Sequence, residues 1–253
     1  MPLWFAALLG LVQGLTEFIP VSSTAHLRVV PALFGQPDAG AAYTAVLQLG
    51  TLVAVLAYFA KDLVTLLTAM VRAPSSSDGR LPWLIAAGTL PIVIAGLALK
   101  KHIEGDLRSL YVIAATLIGI GVVMAVIDWH AQGREGRGLA TVTLRDALLI
   151  GLAQTLALVP GVSRSGATIC MALLLGFTRS DAARFSFLLS IRQALPGLPA
   201  LLVATGVAAV VGYASIAWFL RWLGSHQLIG FAVYRIAAGL ALLAALAARV
   251  VSP

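Results

Sequence analysis

The chain has 253 residues, of which 60% are hydrophobic and only 11% charged, and its mean hydropathy is +0.98. About a quarter of the residues in a soluble domain are charged, so the composition excludes a soluble globular protein and indicates an integral membrane protein. The formal net charge of +7 comes from basic residues in short loops between apolar runs. No basic helix or stripe is present, which argues against nucleic-acid binding.

The cysteine content and the first residues add two expectations. Cys170 is the single cysteine, so no intramolecular disulfide can form. It lies in an apolar run, where a packed core residue is expected. The run that opens the chain has no Lys or Arg ahead of it, so we expect no cleaved signal peptide.

The first half of the chain begins with two short helices. Residues 1–19 form a predicted helix that Pro20 ends, and residues 21–34 form a second one with Ser22 or Ser23 as its N-cap. Such a broken pair is typical of a re-entrant hairpin, which a membrane tolerates only beside protein or a water-filled cavity. Three predicted spans follow, at residues 41–60, 81–99 and 109–127, with polar loops at 35–40, 61–80 and 100–108.

The pattern restarts after a loop at residues 130–145. Predicted helices at 144–159 and 165–177 flank Pro160, and predicted spans follow at 182–203, 207–223 and 228–248. The run Gly10-Leu-Val-Gln13-Gly-Leu15 matches Gly151-Leu-Ala-Gln154-Thr-Leu156. A chance match between two Leu-rich runs is the alternative, but the order and spacing of the elements favour a repeat.

Three spans per half is an odd number, so the second half enters the membrane from the opposite face. We therefore predict an all-α, polytopic membrane protein: one domain, residues 1–253, with about six transmembrane helices and two re-entrant hairpins. The halves, about 1–128 and 144–253, form an inverted repeat, which places a site near the bilayer midplane. Loops 61–80 and 130–145 together carry six basic residues against three in loop 100–108. This predicts a cytoplasmic location for the first two, with the first hairpin and both termini open to the outside.

The first hairpin contains the polar run Gln13-Gly-Leu-Thr-Glu17-Phe-Ile-Pro-Val-Ser22-Ser23-Thr24-Ala-His26. A carboxylate at membrane depth is costly, so Glu17 is a functional candidate; the alternative is a structural ion pair or a protonated carboxyl group. His26 lies four residues after Ser22 and three after Ser23, within reach of either hydroxyl group. Alone it would be a core histidine.

The second hairpin contains Pro160-Gly-Val-Ser163-Arg164-Ser165-Gly-Ala-Thr168. An arginine and two hydroxyl groups at a helix start suit an anion, and the guanidinium fork matches phosphate oxygens. Thr168 shares the face of Arg164. The alternative is a capped turn whose arginine pairs with Glu17 and performs no chemistry.

Together the two runs predict phosphoryl transfer. A serine activated by His26 would attack phosphorus, and Arg164 with the helix N–H groups would hold the developing charge. Glu17 could orient His26, act as the base, or bind a divalent cation with Gln13 and phosphate oxygens, since one carboxylate is enough for such a site.

These motifs resemble those of the bacterial undecaprenyl-diphosphate phosphatases, the family linked to bacitracin resistance, over nearly the whole chain. Residues 13–17 look like the family's (Glu/Gln)-x-x-x-Glu motif, which runs into residues 18–26, and residues 160–168 look like its second signature. Shorter similarities are Val46-Leu-Gln48-Leu-Gly50, Phe185-Ser-Phe187 and Tyr234-Arg235.

The resemblance implies hydrolysis of undecaprenyl diphosphate to the monophosphate and inorganic phosphate. This reaction recycles the lipid carrier of peptidoglycan precursors at the outer face of the bacterial plasma membrane. A divalent cation, Mg²⁺ or Ca²⁺, is implied, with Glu17 and Gln13 as candidate ligands, and a homodimer is compatible with the resemblance. The implied catalytic residues are Glu17, Ser23, His26 and Arg164. The implied substrate-binding residues are Gln13, Ser22, Thr24, Ser163, Ser165, Gly166 and Thr168.

The nucleophile stays open between Ser23 and His26, and the spacing favours Ser23 with His26 as its base. Two positions depart from the family pattern. Gln13 stands where many members have Glu, which weakens a two-carboxylate metal site. Ser190-Ile-Arg192-Gln193-Ala-Leu-Pro196 departs from a more apolar run, and Arg192 either lines the phosphate cavity or extends from a helix end to the membrane surface.

Three other classes compete with this interpretation. A lipid transporter or flippase fits the inverted repeat but does not need a Ser-His pair beside an arginine. The other membrane lipid phosphatases carry a Lys-x₆-Arg-Pro run, which is absent here. A structural scaffold would leave Glu17 and Arg164 at membrane depth unexplained.

Overall fold

The computed structural model describes residues 2–38, 40–99, 106–190 and 202–251. Within these ranges the chain is helical and contains no β-strand. The α-helices are α1 (Leu3–Thr16), α2 (Ser23–Leu33), α3 (Gly40–Tyr58), α4 (Ala60–Arg72), α5 (Ser77–Ala98), α6 (Leu110–His130), α7 (Leu144–Thr155), α8 (Arg164–Leu174), α9 (Arg179–Leu189), α10 (Leu202–Leu223) and α11 (Ile229–Ala247). Among the described residues, short 3₁₀ turns lie at Asp106–Arg108, Leu139–Thr141 and Leu156–Leu158.

Four of the described helices are long and apolar enough to cross a membrane, namely α5, α6, α10 and α11. A fifth span is formed if α3 and α4, which meet at a bend of 70°, are counted as one. Large apolar side chains such as Trp83, Leu97 and Val210 are exposed on the outer surface, where a bilayer would cover them. The predicted all-α, polytopic membrane class is therefore confirmed, with four or five spans among the described residues against the six expected.

Two predicted boundaries were wrong. Most of the loop predicted at residues 61–80 is helix α4, because its apolar residues recur at helical spacing between charged ends. The span predicted at 182–203 also differs, since α9 ends at Leu189 and α10 already begins at Leu202. The run that contains Arg192 lies outside the described residues.

Helices from the two halves of the chain pack against each other in pairs, and the inverted repeat stays a prediction. Helix α1 packs against α10 as α7 packs against α5, and α6 and α11 pack against each other. The matched glycines occupy equivalent places, because a Cβ at Gly10 would collide with the carbonyl oxygen of Ala204 and one at Gly151 with that of Gly88. The Gly-Leu-x-Gln runs therefore mark close helix contacts, a common use of small residues in membrane proteins.

We expect Gly151→Ala to destabilise the protein, since the added methyl group would force α7 away from α5. Overpacking of this kind costs roughly 1–3 kcal/mol. Gly119→Ala in α6 is the matched control, because a Cβ there meets nothing within 4 Å. Thermal unfolding in detergent should show a lower midpoint for Gly151→Ala alone, and equal midpoints for the two variants would contradict the close contact.

Candidate active site

The corners of the two hairpins share an uncommon backbone conformation. Ser22 precedes α2 with φ 75° and Ser163 precedes α8 with φ 74°. Positive φ is uncommon for residues other than glycine, and such strain collects at functional sites. The same strained serine at both helix starts supports the predicted relation between the hairpins.

Glu17 is the point at which the two hairpins meet. Its Oε1 accepts a hydrogen bond from Arg164 Nη2 at 2.8 Å. Its Oε2 accepts bonds from Ser23 Oγ at 2.6 Å and from Gln13 Nε2 at 3.0 Å. The side chain is buried, so each of these hydrogen bonds helps to stabilise the charge of the carboxylate. Four predicted site residues from opposite halves of the chain are therefore in direct contact around one carboxylate.

His26 has other partners than the one expected. Its Nδ1 donates to the carbonyl oxygen of Ser22 at 2.8 Å, and its Nε2 lies 2.6 Å from the hydroxyl group of Tyr234. The two rings are parallel, with centroids 5.7 Å apart. The expected bond from Ser23 to His26 is not formed in this arrangement, because Glu17 accepts the Ser23 proton instead. The spacing of residues within α2 could not reveal a partner on α11.

A cavity of about 230 Å³ opens beside Glu17 and Arg164. Of the other predicted residues, Ser22, Ser23, Thr24 and Ser163 line it. The cavity is also lined by Thr44, Gln48 and Arg108, which were not among the predicted site residues. Ligand pockets for drug-sized molecules measure roughly 300–1,000 Å³, so this cavity suits a polar headgroup without its lipid chain.

Five of the predicted residues do not line the cavity, namely Gln13, His26, Ser165, Gly166 and Thr168. Ser165 Oγ lies 3.3 Å from the carbonyl oxygen of Ile19, a contact that joins the second hairpin to the first. The amide of Gly166 donates to Ser163 Oγ at 3.1 Å, so the Ser163 side chain caps the start of α8. Thr168 is fully buried with its hydroxyl group 2.6 Å from Ser186 Oγ. The contacts of Ser165, Gly166 and Thr168 therefore hold the start of α8 against the first hairpin and against α9.

Arg235 in α11 is a further member of the site. It is fully buried, and it donates to the carbonyl oxygens of Pro20 at 3.1 Å and Gly161 at 2.6 Å, one in each hairpin corner. Its third acceptor is the carbonyl oxygen of Thr116 at 3.4 Å. The sequence does contain a signal for this residue, because an arginine inside an apolar span is a functional candidate. Arg235 was nevertheless named only within the short family similarity Tyr234-Arg235.

The residues around Glu17 fit a cation that arrives with a phosphate better than one held by protein alone. The described part of the chain contains no group of three or more His, Cys, Asp or Glu residues that could hold a metal. Among the residues that the structure describes, Glu17 is the one carboxylate that lines the cavity. Gln13 Oε1 is buried and has no hydrogen-bond partner among the described residues, so an oxygen ligand is available beside it. One carboxylate with substrate phosphates is a common Mg²⁺ site.

The comparisons with known proteins agree with these motifs. The family model described as "Bacitracin resistance protein BacA" matches residues 6–241. Proteins named undecaprenyl-diphosphatase are similar over their full length. The one from Myxococcus xanthus is 48% identical, over 100% of this chain and 92% of the relative. Those from Prosthecochloris aestuarii and Chlorobium phaeovibrioides are each 45% identical, over 98% and 100% of both chains respectively.

These matches confirm the predicted enzyme class, a phosphatase, and the predicted resemblance. The match to the family model and the matches to the relatives both include the two hairpins and the helices that pack against them. The chain therefore belongs to the bacitracin resistance protein BacA family.

Proposed function

We propose that this enzyme hydrolyses undecaprenyl diphosphate to undecaprenyl phosphate and inorganic phosphate. The relatives carry the name of that activity, and the contact of Ser23, Glu17 and Arg164 beside a headgroup-sized cavity is the observation that supports it best. A serine hydroxyl group, a proton acceptor and a planar cation are the parts that phosphoryl transfer needs.

The first step uses the contacts of Glu17. Ser23 Oγ transfers its proton to Glu17 as it attacks the terminal phosphorus, forming an Oγ–P bond while the bridging P–O bond breaks and the lipid monophosphate leaves. Arg164 exchanges one anionic partner for another, because its guanidinium group turns from Glu17 to the phosphoryl oxygens. The N–H groups at the start of α8 add positive potential at the same place.

The second step returns the enzyme to its starting state. Water attacks the phosphoserine and forms a new P–O bond as the Oγ–P bond breaks. Glu17 returns its proton to Ser23 Oγ, and the protons of the water leave with the inorganic phosphate. A divalent cation, Mg²⁺ or Ca²⁺, belongs to the proposal: Glu17 and Gln13 Oε1 would hold it together with phosphate oxygens. When bound it neutralises charge on the diphosphate.

The cellular setting is part of the same proposal. The bacterial relatives suggest a plasma-membrane protein, and the excess of basic residues in segments 61–80 and 130–145 supports a cavity that opens to the outer face. There it would recycle the lipid carrier of peptidoglycan synthesis. A homodimer stays a prediction.

The test is phosphate release from undecaprenyl diphosphate by the purified protein in detergent, with and without a chelator. We expect release that stops when the chelator is added and returns with excess Mg²⁺ or Ca²⁺. Release that the chelator leaves unchanged would remove the cation from the proposal. No release from a protein that still unfolds cooperatively on heating would favour a lipid transporter.

A further inference from the structure

Arg108 is a second arginine in the wall of the cavity that contains Glu17, Ser23 and Arg164. It ends the 3₁₀ turn Asp106–Arg108 just before α6, in a loop between helices. The proposed reaction steps do not use it, and as a loop charge it would only help to set the orientation of the chain. Its place in the cavity wall gives it a further use.

The Arg108 side chain is fixed by Asp38, in the loop that precedes α3. Its Nη2 and Nε donate to Asp38 Oδ2 at 2.7 and 3.2 Å. Arg28 approaches the same oxygen, with its Nε 3.7 Å away. One carboxylate therefore faces two guanidinium groups, which leaves a net positive charge in this cluster. Neither Asp38 nor Arg28 lines the cavity.

Arg108 keeps donors available for a ligand. Its Nη1 makes no hydrogen bond to any described residue, and about a fifth of the side chain is exposed, at 21%. A guanidinium group held on one edge and free on the other is preorganised for a phosphate oxygen, because little side-chain entropy remains to be lost on binding.

Among the described side chains that line the cavity, Arg164 and Arg108 are the two basic ones, so a diphosphate can be offered one arginine for each phosphate. Glu17 offsets the charge of Arg164. In the proposed reaction these two residues and Ser23 act on the phosphate that reacts. A diphosphate brings a second phosphate of the same sign into a small, partly dehydrated space. Arg108 is the other basic residue among the described residues that line this space.

We infer that Arg108 binds the lipid-linked phosphate of the diphosphate, the one that remains on the product. The inference rests on the proposed function. The terminal phosphate must lie against Ser23 for attack, so the lipid-linked phosphate lies further from Ser23 in the same cavity, which Arg108 also lines. The same contact makes Arg108 a specificity-determining residue, because a substrate with a single phosphate cannot use both arginines.

The test compares Arg108→Gln with Arg28→Gln. Both variants remove one positive charge and one partner of Asp38, but Arg28 is outside the cavity wall. Steady-state phosphate release from undecaprenyl diphosphate gives kcat and KM. Inhibition by undecaprenyl monophosphate reports binding of the lipid-linked phosphate, and inhibition by inorganic phosphate reports binding at the reacting position.

For Arg108→Gln we expect KM and the inhibition constant of the monophosphate to rise roughly tenfold or more, as loss of a charge-assisted hydrogen bond does. The inhibition constant of inorganic phosphate should stay within about twofold. Arg28→Gln should leave all of these constants within about threefold, an effect of surface charge only. Arg108→Lys, which keeps the charge without the fork, should lie between wild type and Arg108→Gln.

Equal monophosphate inhibition in the two glutamine variants would overturn the inference while wild-type turnover still supported the proposed function. A parallel rise in the inorganic phosphate constant would also overturn it, since Arg108 would then act at the reacting phosphate. If Arg108→Gln does not unfold cooperatively, the comparison is made with Arg108→Lys. Absence of turnover in the wild type would overturn the function and the inference together.

Discussion

Ser23→Ala is expected to lower kcat for phosphate release by at least three orders of magnitude, since the nucleophile and the first covalent step are lost together. Ser23 Oγ lies 2.6 Å from Glu17 Oε2, which accepts its proton. Single-turnover measurement of lipid monophosphate formation from undecaprenyl diphosphate would separate loss of chemistry from loss of binding.

Ser165→Ala is the matched control for this prediction. Ser165 is also a buried hydroxyl group near the start of a hairpin helix, yet it points to the backbone of the other hairpin and does not line the cavity. It should cost about tenfold or less, through small shifts of the hairpins. A larger loss for Ser165→Ala than for Ser23→Ala would exclude Ser23 as the nucleophile.

Arg164→Lys is expected to lower kcat by two to three orders of magnitude, roughly 3–4 kcal/mol of transition-state stabilisation. Lysine keeps the charge, but it lacks the planar fork that can contact two phosphoryl oxygens at once. The guanidinium group pairs with Glu17 at 2.8 Å in the structure, and in the proposed reaction it turns from there to the phosphoryl oxygens. Values of kcat and KM for the purified variant measure the loss.

Arg179→Lys provides a control with the same local setting. Arg179 is the first residue of α9, as Arg164 is of α8, and it pairs with the buried Asp128 at 2.7 Å. It lies outside the cavity, so its replacement should lower the unfolding temperature while kcat of the folded enzyme changes little. Similar losses of kcat in both variants would mean that Arg164 acts through folding and not through the phosphate.

The hairpins and their central contact could be predicted from the sequence. Glu17 and Arg164 are charges in short apolar helices that break at a proline, and such charges need each other at membrane depth. The serines beside them lie at the same proline-broken corners and could be predicted with them. These predictions require only the local sequence pattern and the cost of burying a charge.

The partners of His26 and Arg235 could not be predicted in this way. His26 meets Tyr234, 208 residues further along the chain, and Arg235 binds carbonyl groups in two other helix pairs. Periodicity shows which face of a helix is polar, but not which other helix covers that face. Gln48 and Arg108 were missed for the same reason, since one lies within an apolar helix and the other in a loop.

The hydrogen bonds from Arg235 to both hairpin corners affect the order in which the chain can fold in the membrane. Pro20 and Gly161 belong to segments that enter the membrane early and midway through synthesis, whereas Arg235 lies in α11, the last helix described. The strained serines beside those corners keep their conformation only when the surrounding contacts enforce it. A nascent chain that has inserted every earlier helix would therefore still lack a competent catalytic centre. The catalytic centre would therefore become competent only when α11 has entered the bilayer.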